Sequence, residues 1–169
     1  MSQISLVGAG PGPLELLTLR ALHHLEAAEV VVYDRLVGSE ILARIPHGAA
    51  RFDVGKRCGE PSPTQEEINA LLLALARTGK RVVRLKGGDP LVFGRGGEEA
   101  LHLARHGIEA ELVPGITAAL GCAASSFIPL THRGLARSLT LVTGHLMDER
   151  DYQGWQGLTR AGHTLVFYM

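Results

Sequence analysis

Short β-branched runs in this chain empty, one after another, into turns built of glycine or charge, and each turn opens a segment of helical apolar spacing. Ile4–Val7 runs into Gly8-Ala9-Gly10-Pro11-Gly12-Pro13, and residues 14–28 follow with Leu16, Leu19, Leu22 and Leu25 at helical intervals. Val30-Val31-Val32-Tyr33-Asp34 is a continuous apolar run ending on an acid, the pattern of a parallel strand covered on both faces. A short helix is expected over Ser39–Arg44, a strand over Arg51–Val54, and then Gly55-Lys56-Arg57. Thr64-Gln65-Glu66-Glu67 spells a capping box, and Gly79 closes the helix it opens. Arg81–Leu85 predicts a strand ending in Lys86-Gly87-Gly88-Asp89-Pro90. A helix over Gly97–His106, the strand Glu111–Val113 and a small-residue helix to Ser125 come next. Leu139–Thr143 and Thr164–Tyr168 are the last strand candidates. Strand and helix in strict alternation predict an α/β fold on a parallel sheet, whose ligands bind beyond the carboxyl ends of the strands. The glycine-rich segments fall at those ends.

Composition narrows the function classes. Among 169 residues, 46% are hydrophobic and 20% charged, which excludes a disordered chain. No apolar run approaches the roughly 18 residues that cross a bilayer, and no charged segment precedes an apolar stretch at the start. A soluble, cytoplasmic protein without membrane contact is expected. Seventeen basic residues balance seventeen acidic ones, which argues against nucleic-acid binding through bulk charge. Two cysteines, Cys58 and Cys122, make neither a disulfide framework nor a metal motif. The expected division is an N-terminal α/β domain over 1–133, then a linker and the start of a second α/β domain over 134–169. Leu165–Met169 reads as a buried strand on which the chain stops, so most of that second domain is expected to be absent.

Several motifs bear chemistry. Gly8-x-Gly10 after a strand, with Asp34 ending the next strand, invites a dinucleotide reading. Against it, Pro13 stands where the third glycine would be, and Pro11 and Pro13 remove backbone N–H groups that a pyrophosphate needs. The paired glycines of Lys86-Gly87-Gly88-Asp89-Pro90 allow close backbone approach to a ligand, and Asp89 can accept from an ammonium or hydroxyl. Asp34 and Lys56, both at strand ends, form a possible base and acid. His102 and His106 have a metal-capable i, i+4 spacing but no third ligand, and a solvated helix face is the expected reading. Arg133 could meet an anion. Neither a nucleophile elbow nor a Walker loop is present.

These segments together resemble the tetrapyrrole methylase family, and within it the members that act on uroporphyrinogen III. The resemblance is carried in order by Val7–Gly12, Val32–Leu36, Val54–Arg57, Arg84–Pro90, Phe93–Glu99, Val113–Ala118, Pro129–Arg133, Val142–His145 and Phe167–Met169. It implies methyl transfer from S-adenosylmethionine (SAM), with S-adenosylhomocysteine as product. Two pyrrole carbons of uroporphyrinogen III would be methylated, giving precorrin-1 and then precorrin-2 on the way to sirohaem and cobalamin. By the same resemblance Pro11, Gly87, Gly88, Asp89, Val92, Thr117, Ala118 and Met169 would line the SAM pocket. Val92 replaces an isoleucine frequent in the family. Asp34 would be the proton acceptor and Lys56 the proton donor, while Arg95, Glu98 and Arg133 would bind substrate. A homodimer is expected of the full-length protein. The alternative is a catalytically impaired fragment that serves only as a folded or dimerising module.

Overall fold

The computed structural model describes residues 4–55, 62–144, 158 and 160–169. Contacts divide the chain into two units, through Ala118 and from Ala119 onward. The division expected from composition, after residue 133, lies inside the second unit.

In the first unit β1 (Ile4–Gly8), β2 (Val30–Tyr33), β3 (Ala50–Asp53), β4 (Val82–Lys86) and β5 (Glu111–Val113) form one sheet in the order β3-β2-β4-β1-β5. Every pairing is parallel: Ile4 lies beside Val82, Val30 beside both Val82 and Ala50, and Ser5 beside Glu111. The helices α1 (Leu19–Glu26), α2 (Ser39–Leu42), α3 (Gln65–Ala76) and α4 (Gly96–Arg105) connect these strands. Alternate strand residues feed two cores. Val7, Val31, Val83 and Leu85 pack with Ala21, Leu25 and Ile41. Ile4, Val30, Val32 and Val82 pack with Ile68, Leu72 and Leu103 on the other face. The parallel α/β class is thus the one that the alternation of elements predicts.

The helix expected over 14–28 is shorter. Leu14–Leu16 forms a single 3-10 turn, Leu17 returns to extended backbone, and α1 begins after Thr18. The Thr18 hydroxyl accepts from the Ala21 amide at 3.1 Å, so a local cap outcompetes the continuous helix. Its buried residues are Ala21 and Leu25, while Leu19 is 76% exposed. The capping box of α3 is formed in full: Thr64 Oγ1 accepts from the Glu67 amide and Glu67 Oε2 accepts from the Thr64 amide. At the end of α4, Gly107 takes φ +75°, and its amide donates to Ala104 O.

The second unit holds most of α5 (Ala118–Ser125) and the parallel pair β6 (Ser138–Thr143) and β7 (His163–Tyr168). The Tyr168 hydroxyl accepts from the Ala119 amide at 3.1 Å, tying the start of α5 to the end of β7. That bond groups α5 with the late strands, whereas a change in composition marks only the loop after it. The strand expected to be buried is half-buried, with Phe167 and Met169 exposed; among the described residues β7 pairs with β6 alone and so has one covered edge. Among the described residues no helix is long and apolar enough to cross a membrane.

Candidate active site

The carboxyl ends of β1, β4 and β5 meet through glycine. A methyl group placed on Gly8 would sit 2.5 Å from Gly115 N and 2.7 Å from Gly88 O. One on Gly115 would collide with the Gly88 carbonyl. Three turns from distant parts of the chain therefore pack backbone to backbone. Gly10 and Gly88, with φ +72° and +64°, exchange both of their amide bonds at 3.1 and 2.8 Å. Pro11 is carried to the same place as the next residue. Thr117 Cα and Ala118 N lie 3.9 and 3.8 Å from a Cβ built on Gly88, at ordinary contact distance. Asp89 stitches the turns together: Oδ1 accepts from the Leu91 amide at 2.8 Å and Oδ2 from the Gly115 amide at 3.0 Å. Val92 closes that turn by donating to Asp89 O at 3.3 Å. Gly87 is pressed against Leu36, where a Cβ would come 2.6 Å from Leu36 Cβ.

Beside this cradle, at the ends of β2 and β4, lies a cluster of charges. Arg84 and Lys86 share a face of β4 with Val82 and occupy core positions of the face covered by α3 and α4. Their counter-charges are Glu99, wholly buried on α4, and Asp34. Arg84 Nη2 donates to Asp34 Oδ1 at 2.6 Å and Arg84 Nε to Glu99 Oε1 at 3.1 Å. Lys86 Nζ donates to Glu99 Oε1 at 3.0 Å and stands 3.9 Å from Asp34 Oδ2. Burial first, and then the positive charge of Arg84, push the Lys86 ammonium below the ordinary lysine value, while Glu99 and Asp34 oppose them. In the sequence Asp34 is a lone strand-end acid; the structure makes it the outermost member of an ionic cluster. Sequence reasoning misses Arg84 and Glu99. Their signal is nonetheless present, since a strand alternating Val82, Arg84, Lys86 must bury its cations and so requires buried acids.

The turn leading into α4 is strained. Phe93 and Arg95 have φ of +52° and +56°, a region that side-chain-bearing residues rarely adopt. Close packing holds the turn, because the Gly96 amide donates to Pro90 O at 2.9 Å and a Cβ on Gly94 would lie 2.9 Å from that oxygen. Arg95 and Glu98 form a two-armed pair at 2.9 and 2.6 Å with both side chains about half exposed. Their mutual hydrogen bonding moves the guanidinium pKa up and the carboxyl pKa down.

Pro11, Gly87, Gly88, Asp89, Val92, Thr117 and Ala118 thus gather at the strand ends of the first unit. Arg133 and Met169 belong to the second unit, where both are exposed. Lys56 lies outside the described residues. The His102 and His106 rings lie with centroids 4.7 Å apart and planes tilted by 40°, and no group of three metal-capable side chains occurs among the described residues.

The sequence model described as Tetrapyrrole (Corrin/Porphyrin) Methylases matches residues 3–169. This chain belongs to the tetrapyrrole methylase family. Siroheme synthase of Pseudomonas aeruginosa (strain LESB58) is 57% identical to this methylase-family chain over 167 residues, 99% of the chain and 36% of that protein. The chain spans about a third of the length of the curated relatives it matches. Uroporphyrin-III-C-methyltransferase from Thermus thermophilus superposes with a TM-score of 0.75 at 55% identity, covering 84% of this chain and 60% of that one. The same Thermus enzyme complexed with S-adenyl homocysteine gives a TM-score of 0.73 at 54% identity, covering 85% and 59%.

Proposed function

We propose that this chain takes part in SAM-dependent C-methylation of uroporphyrinogen III to precorrin-1 and precorrin-2. The observation that carries the reading is the convergence of the expected cofactor residues of the first unit on the ends of β1, β4 and β5, with Asp34 at the end of β2. The residues fit SAM. Among the described residues other than its two chain neighbours, no side-chain atom comes within 4 Å of a Cβ built on Gly88, and the Thr117 and Ala118 backbone borders it at contact distance. Each Asp89 oxygen uses one lone pair on an amide and keeps another for the cofactor's ammonium. Met169 is proposed as a further member of the set.

SAM supplies an electrophilic methyl group on a sulfonium when bound. The protein's part is alignment and charge. Bond formation at the pyrrole carbon leaves positive charge on the macrocycle, and a carboxylate both stabilises that charge and takes the proton whose loss discharges it. Asp34 is the group proposed for this, and Lys56 is proposed as proton donor. Arg95, Glu98 and Arg133 are proposed to meet the acetate and propionate groups of the substrate rim, which suit guanidinium forks. In the structure Glu98 occupies the Arg95 fork, so a substrate carboxylate would exchange with it.

Replacing Asp34 by Ala should lower methyl transfer at least a hundredfold while SAM affinity, measured by calorimetry, changes less than threefold; equal losses would place Asp34 in the cofactor pocket. A chain that neither binds SAM nor methylates would serve as a folded or dimerising module, and analytical ultracentrifugation would report whether it dimerises, as is proposed for the full-length protein.

A further inference from the structure

We propose that Arg84 is a positioning residue for Asp34: anchored from behind by the buried Glu99, it holds the Asp34 carboxylate in one orientation at the mouth of the cluster. This rests on the reading of Asp34 as proton acceptor. The geometry behind it is a graded burial. Side-chain exposure is 0% at Glu99, 2% at Arg84, 4% at Lys86 and 27% at Asp34. The cluster therefore opens outward through the carboxylate proposed to receive a proton. Two cations face two anions, so the group is neutral when all four are ionised, the condition under which buried charge is tolerated. Of the four, Arg84 alone is in hydrogen-bond contact with both anions, at 2.6 Å to Asp34 and 3.1 Å to Glu99. Lysine at that place could not reproduce the planar fork.

A cluster serving stability alone would be unusual here. Buried ion pairs contribute little compared with apolar packing of equal volume, and Arg84 and Lys86 sit where β4 would otherwise continue the core begun by Val82. Among the described residues, the groups facing Asp34 and its partners come from three elements. From β4 come Arg84 and Lys86; from α4, Glu99, with Glu98 paired to Arg95. From α3, Gln65 Nε2 reaches Glu99 Oε1 at 3.4 Å. Glu99 Oε2 is buried with no hydrogen-bond partner among the described residues, and Oε1 accepts the hydrogen bonds from both Arg84 and Lys86.

The test is carbon-13 NMR of the Asp34 carboxyl through a pH titration of the whole chain, assigned with Asp34→Asn. Glu99→Gln keeps the Oε1 acceptor but removes an anion, so both cations act on Asp34 unopposed and its midpoint should fall by roughly half a pH unit or more. Lys86→Met removes a cation and should raise the midpoint by a similar amount. General loosening would instead move both variants the same way, and that result, or no movement in either, overturns the proposal. The wild-type chain offers a check that needs no folded variant: the Arg84 side-chain N–H groups should give separate, slowly exchanging resonances. An averaged, fast-exchanging guanidinium in the wild type overturns the proposal as well. Undiminished methyl transfer by Asp34→Asn would remove the proton-acceptor reading, whereas the NMR titration reports on the cluster independently of it.

Discussion

Gly8 shows how much a single absent side chain can decide. Its site leaves no room for a methyl group between Gly115 N and Gly88 O, both of them backbone atoms that cannot swing aside. Gly8→Ala should therefore destabilise the protein by about 1–3 kcal/mol, the usual cost of overpacking, visible as a lower midpoint in urea with an unchanged slope. The sequence marks this glycine as part of a loop between strand and helix. It does not mark its neighbours, because Gly88 and Gly115 come from turns after other strands. Asp89 behaves alike. Its sequence context suggests a ligand for a cofactor ammonium, yet it is first of all the acceptor of two backbone amides. Glu111, on the edge strand β5, is paired with Arg20 and His24 of α1, and the hydrogen bond from Arg20 holds its carboxyl below the ordinary range. A depressed carboxyl contributes stability above its unfolded value that is lost as pH falls through the folded one. Glu111→Gln should accordingly remove part of the wild-type loss of stability below about pH 4.5, as followed by acid titration of circular dichroism.

Elements are legible where their signals are local. The capping box of α3 joins residues three apart, so it can be read letter by letter and is present in full. Thr64→Ala should cost about 1 kcal/mol, measured by thermal or urea unfolding, with Thr64→Ser recovering most of it. The strands of the first unit lie within a residue or two of their expected positions, since β-branched runs bounded by glycine leave few alternatives. The start of α1 departs from expectation for an equally local reason. Leucine spacing of period 3.6 continues through residues 14–25, but Pro13 and Leu17 take extended backbone and the Thr18 hydroxyl starts a new helix. Periodicity reports which residues would share a face if the helix formed; capping decides where it begins.

At the scale of the molecule the sheet order controls what meets. β4 inserts between β2 and β1, which follow one another in sequence but are not neighbours in space, and so brings Arg84 and Lys86 to Asp34. Lys86 then leaves a mark on global stability. Its pKa is lowered in the fold, mainly by burial, so between that value and the ordinary lysine value of about 10.4 the unfolded chain binds more protons. Stability contributed by this group must rise with pH across that interval, and Lys86→Met should flatten the rise when denaturant midpoints are compared from about pH 7 to about pH 10.5. The sequence by itself determined the α/β class, the parallel strands and the placement of glycine turns at their ends, because periodicity, capping and turn chemistry act over a few residues. Only the tertiary structure decided that Asp34 is held by Arg84, 50 residues away, that Arg84 is held in turn by Glu99, and that Gly8, Gly88 and Gly115 share one contact. Those partnerships depend on strand order, and strand order is settled by how the whole sheet buries its two faces rather than by any segment alone.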